Sequence, residues 1–112
     1  MANYEPSLTV TLAVGEYQIL SNASLASPFS TQAIAVGREQ GPAELCVYNG
    51  STQVATVQVA QADADLLYVP FYVDGTAVTV AGGHAGQFRC LGKFMRLSMA
   101  ADPGATTVSV TR

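Results

Sequence analysis

Apolar and polar residues alternate with a period of two along most of the chain. Leu8, Val10, Leu12 and Val14 are interleaved with Thr9, Thr11 and Ala13, the pattern of a strand with one buried face. The same template predicts strands over 17–20, 31–36, 43–48, 54–60, 66–73, 76–80, 87–91, 94–99 and 106–111. No window carries a capped apolar stripe at helical spacing, so helices are not expected. Asn49-Gly50 and Asp74-Gly75 read as hairpin turns, because these residue types tolerate positive φ. Gly41-Pro42, Gly92-Lys93 and Asp102-Pro103-Gly104 mark further turns. The segments 21–30 and 81–86 read as loops, the second a flexible glycine-rich one. A phase slip between Val54 and Val57 predicts a bulge. Pro70 has no N–H for a ladder, so 66–73 is expected at a sheet edge or bulged. About eight to ten short strands at this spacing predict an all-β, antiparallel β-sandwich, jelly-roll-like in connection. The sandwich is expected over 7–112, behind a flexible N-terminal arm at 1–6.

Composition sharpens the picture. A chain of 112 residues is one domain with room for one core. Hydrophobic residues are 49% of it and charged residues 12%, about half the usual charged share. Disorder is therefore excluded. The net charge is -3, with five basic side chains in all, so a nucleic-acid partner is not expected. The N-terminus lacks the basic and apolar regions of a secretory leader. The longest apolar run, Leu66 to Val73, is interrupted by Pro70 and falls far short of the roughly 20 residues of a membrane-spanning helix. No membrane partner is expected, and the chain is expected to be made in the cytoplasm and used without passing through a secretory pathway. Cys46 and Cys90 are expected to be buried free thiols, or a disulfide if their strands face each other across two sheets.

Candidate chemistry is sparse. His84, the single histidine, lies in the glycine-rich loop with no orienting partner in sequence, so it reads as an exposed loop side chain. Asp63-Ala64-Asp65 offers too few oxygens for calcium and reads as a solvated turn. One histidine and two distant cysteines do not make a zinc site. Gly82-Gly83 joins two strands, whereas a phosphate cradle needs a following helix. No cofactor, metal or catalytic residue is assigned, and the protein is expected not to be an enzyme. A cupin-like enzyme would want several metal-binding histidines.

The shortage of charge points to contact with other subunits. Charged residues are depleted at the cores of protein–protein interfaces, and the polar residues here are mainly uncharged. Tyr68, Phe71 and Tyr72, near the Pro70 edge, are candidate interface residues. Tyr4 is a fourth, as the anchor of the arm. A carbohydrate-binding module could use the same aromatic cluster with Asp63, Asp65 and Asp74, although the chain has no Trp.

The chain as a whole, and above all Gly92-Lys93-Phe94-Met95-Arg96-Leu97-Ser98-Met99, Asp102-Pro103-Gly104 and Thr107-Val108-Ser109-Val110-Thr111-Arg112, resembles the capsid decoration (cement or staple) proteins of tailed bacteriophages, whose sandwich ends in such a hairpin. The resemblance implies a non-enzymatic virion protein on the capsid surface. It would bind the assembled shell and bridge major capsid subunits. Its partners would be the major capsid protein and copies of itself, in a multimeric assembly. A tail or head-fibre component is the alternative within the same class.

Overall fold

Side chains on a strand point alternately to its two faces, so one face of a sheet can be buried while the other is wet. The computed structural model uses this in two stacked sheets, and it describes residues 8–24, 29–36, 43–90, 93–104 and 107–112. The strands are β1 (Val10–Thr11), β2 (Tyr17–Ile19), β3 (Phe29–Ser30), β4 (Ile34–Ala35), β5 (Ala43–Asn49), β6 (Ala55–Ala60), β7 (Val69–Pro70), β8 (Tyr72–Val73), β9 (Thr76–Ala77), β10 (Thr79–Val80), β11 (His84–Cys90), β12 (Phe94–Met99) and β13 (Val108–Thr111). Between β6 and β7 the chain makes a 3-10 turn, Asp65–Leu67, and no α-helix occurs among the described residues.

Sheet 1 runs β1-β4-β12-β6-β10, with β3 also beside β12 and β7 beside β6. Sheet 2 runs β11-β5-β13-β2. β8 and β9 form a separate hairpin. Every pairing is antiparallel except β1 with β4, which is parallel. Leu45 and Val47 of β5, Val108 and Val110 of β13, and Phe88 and Cys90 of β11 point inward from sheet 2. They meet Ile34, Val57, Met95, Leu97 and Met99 of sheet 1 in one buried cluster. The protein is thus an all-β sandwich, and alternation in β5 and β13 sorts their residues correctly between core and surface.

Several local expectations are corrected. The first strand shrinks to β1. Leu12 is buried, but Leu8 and Val14 are exposed, because the chain leaves the sheet and turns at Gly15. Val54 lies outside β6, whose register with β12 is unbroken from Ala60 to Thr56, so no bulge is needed there. The run 66–73 is divided into the 3-10 turn, β7 and β8, with Val69 and Pro70 pairing only with β6. Asp74-Gly75 is the expected hairpin turn, with φ of 51° and 78°. Asn49-Gly50 is not one. β5 pairs with β11 and β13, and the chain crosses there to sheet 1. The buried Asn49 amide drives the crossing. It donates to the carbonyls of Gln53 (2.7 Å) and Val80 (2.9 Å) and accepts from the N–H (3.1 Å) and hydroxyl (2.6 Å) of Ser51. The expected C-terminal hairpin is likewise absent, since β12 lies in sheet 1 and β13 in sheet 2.

The segment 81–86 is a tight turn at Gly82-Gly83 leading into β11, not a flexible loop. A Cβ on Gly82 would stand 2.7 Å from the Ser51 carbonyl oxygen, so close backbone approach explains the glycine there. Both cysteines are free. Cys90 faces the core as expected, but Cys46 is half-buried on the outer face of the same sheet, where a bridge between facing sheets does not arise. The proposed arm at 1–6, with Tyr4, lies outside the described residues.

Candidate interaction surface

The outer face of sheet 1 is covered by the segment 61–69, and one residue of β12 holds it there. Arg96 pairs across the sheet with Gln58 of β6 and points away from the core. Its Nε donates to Gln58 Oε1 (2.8 Å) and its guanidinium to Asp65 Oδ1 (2.8 Å). The same guanidinium stacks 4.1 Å from the centre of the Tyr68 ring. The Tyr68 hydroxyl donates to Asp63 (2.9 Å), and the Thr9 hydroxyl donates to the other Asp63 oxygen. Asp63-Ala64-Asp65 is therefore a clasp, not a solvated turn. Tyr68 is only 7% exposed and packs with Ala33, Ala60 and Phe94.

This placement divides the predicted aromatic surface. Tyr68 belongs to the clasp, with one ring face taken by Arg96. Phe71 is half-buried and packs on Phe88 with ring centres 6.0 Å apart. Tyr72 alone is open, 59% exposed. The three rings do not make one flat platform, and Asp63 and Asp65 are already engaged. The structure instead brings out aliphatic neighbours. Leu66 is 95% exposed, and Leu67, Val69 and Val73 are also exposed. With Tyr72 they make a ridge of exposed apolar residues along 66–73, which begins inside the clasp at Leu66 and Leu67. Leu67 and Val69 also line a small cavity of about 130 Å³ with Val59, Ala60 and Gln61. The sequence pattern gives this run as an edge strand with an aromatic surface and does not assign Leu66, Leu67, Val69 and Val73 to the surface. The available signal was Leu66-Leu67 itself, since adjacent strand residues cannot share one buried face.

The outer face of sheet 2 is a second open surface. Cross-strand register sets Ile19, Ser109, Tyr48 and Ala85 in one row and Tyr17, Thr111, Cys46 and Gln87 in the next. The third row holds Glu44 and Arg89, joined by an exposed 2.9 Å ion pair. The Tyr48 hydroxyl ionises above its usual range, chiefly through a side-chain hydrogen bond with Cys46, then through the charge and partial desolvation there. Tyr48 also borders a shallow depression of about 280 Å³ with Asn49, Gly50, Gly83, His84 and Ala85. His84 is exposed as expected, its Nδ1 3.0 Å from the Gly82 carbonyl oxygen.

Among the described residues no group of three or more His, Cys, Asp or Glu side chains could hold a metal ion. No helix among them is long and apolar enough to cross a membrane. No protein-family model matches the chain, and no curated protein or solved structure matches it either.

Proposed function

We propose that the protein is a non-enzymatic structural component of a virion, bound to the outside of an assembled phage capsid and bridging major capsid subunits. The apolar ridge of Leu66, Leu67, Val69, Tyr72 and Val73 carries this reading. Open aliphatic side chains concentrated in one short stretch mark an interaction site rather than scattered surface residues, and the bonds of Asp63, Asp65 and Tyr68 fix the segment that carries Leu66 and Leu67. Such a protein stabilises the shell by mass action, because it binds only the assembled state. Repetition over one particle adds avidity. Copies of the chain would meet one another on the same particle.

The test is to separate a lysate of the source culture on a density gradient and follow this chain by mass spectrometry. Co-migration with a megadalton particle supports the reading; migration only with free proteins overturns it. The ratio to the most abundant shell protein then separates decoration from the tail or head-fibre alternative. Decoration requires a copy number comparable to that of the shell subunits, and a tail part requires far fewer.

A further inference from the structure

Sheet 2 has unequal edges. β2 is a three-residue strand, and β11 is a seven-residue strand at the other border. The Gly50 N–H donates to the Thr107 carbonyl at 2.8 Å, on the register that joins β5 and β13. Hydrogen-bonding directions alternate along an antiparallel ladder. The main-chain groups of Tyr48 and Cys46 therefore point to β13, and those of Val47 and Leu45 point to β11. Their partners Gly86 and Phe88 are used up on β5. Ala85, Gln87 and Arg89 are left aiming their N–H and C=O groups away from the sheet. All three are exposed, and no described strand pairs with that edge.

Natural sheets blunt long edges with proline, lysine or a bulge. None of these stands in His84-Ala85-Gly86-Gln87-Phe88-Arg89-Cys90, and the one charge, Arg89, is paired with Glu44. We propose that β11 pairs antiparallel with β11 of a second copy of this chain about a two-fold axis through Gln87, so that two four-stranded sheets become one continuous sheet.

The self-register is the argument for a second copy over another partner. With Gln87 opposite Gln87, the seven-residue strands overlap fully and Ala85 stands opposite Arg89. All three outward residues of each strand then fall in hydrogen-bonded pairs. On the outer face the two Gln87 amides can bond each other, and each Arg89 faces an alanine, so no like charges are opposed. On the inner face Gly86 stands opposite Phe88, so two bulky groups are not forced together. A single strand pair buries less than the roughly 800 Å² per partner of a tight complex, so the pair is weak in dilute solution and favoured where copies are concentrated. Of the partners proposed above, the inference takes up copies of the chain only. Shell binding and this pairing can fail separately.

The experiment is sedimentation velocity on the full chain from micromolar to millimolar concentration. A concentration-dependent monomer–dimer equilibrium is expected. Gln87→Pro removes an N–H that β5 does not use, and should leave a folded monomer. Gln87→Lys places like charges face to face at the axis and should also abolish the dimer. An equimolar mixture of Gln87→Lys and Gln87→Glu chains should restore it at least tenfold over either alone. That rescue identifies the register and does not depend on the proline variant folding. A wild-type chain that stays monomeric throughout overturns the proposal. So does a dimer that Gln87→Pro and Gln87→Lys both leave unchanged, which would put the contact elsewhere on the chain.

Discussion

Arg96 is a cation almost out of contact with water, 5% exposed, while the side chain of its partner Asp65 is 44% exposed. The asymmetry decides what each substitution does. Asp65→Ala takes an ion-pair partner from a guanidinium in a nearly dry site, and removing one partner of a buried charge costs about 3 kcal/mol. Arg96→Met keeps much of the packing of the stem and leaves a carboxylate that water can reach, at about 1–2 kcal/mol. Urea midpoints at equal slope should place Asp65→Ala below Arg96→Met. The opposite order would make the pair a surface-type contact of little worth. Tyr48 shows the reverse environment, open to water yet shifted. Its hydroxyl ionises above the usual 10.0, mainly because of its hydrogen bond with Cys46. A raised value in the folded state favours the protonated form. That stabilisation is complete below the unfolded value and fades as pH climbs through the folded one. Cys46→Ala should move the Tyr48 titration, read as tyrosinate absorbance, to lower pH; an unmoved curve would remove the thiol as its cause.

Turns show what sequence does and does not disclose. Asp74-Gly75 and Asn49-Gly50 carry the same signal, and only the first has both φ values positive. The difference lies in what surrounds them. Asp74 and Gly75 close a hairpin whose strands pair with each other alone, so local chemistry is the whole account. Asn49 is buried among carbonyls from two other segments, and that company is a product of the tertiary fold. The same logic runs through the rest. Period-two alternation exposed β5, β6, β12 and β13 because burial on one face is a local pattern. Their partners stayed hidden because pairing is set by long-range packing, and so the C-terminal hairpin was misread. Tyr68 looked like surface because nothing in sequence places Arg96 above it. The two turns should therefore respond differently. Gly75→Ala adds a Cβ with nothing within 4 Å, so its cost of about 1 kcal/mol is conformational and confined to the hairpin. Asn49→Ala takes one donor from each of the Gln53 and Val80 carbonyls and the acceptor from the Ser51 N–H and hydroxyl, at about 3 kcal/mol. In native-state amide exchange, Asn49→Ala should speed exchange in both sheets and Gly75→Ala only over Tyr72–Ala77. Uniform acceleration by Gly75→Ala would mean that the hairpin is part of the cooperative core.

At the scale of the whole molecule, five basic and eight acidic side chains serve a chain that is 49% hydrophobic. Two of those pairs, Arg89 with Glu44 and Arg96 with Asp65, neutralise each other. The surface is left to hydroxyls, amides and exposed apolar groups, and apart from Leu8, Val14 and Val54 the large exposed apolar groups lie in two places, the ridge and the outer face of sheet 2. Either could meet a shell, and substitutions distinguish them. Leu66 is so exposed that Leu66→Lys should leave stability within about 0.5 kcal/mol. Burying a leucine at an interface is worth roughly 1.5–3 kcal/mol, and 1.4 kcal/mol is tenfold in affinity. Leu66→Lys should therefore weaken particle binding at least tenfold in a co-sedimentation titration, with the unfolding midpoint unchanged. Tyr17→Ser, on the outer face of sheet 2, should leave binding as it was. If Tyr17→Ser releases the protein from particles and Leu66→Lys does not, the contact lies on the sheet. The ridge would then be an exposed edge of the clasp, with no part in binding.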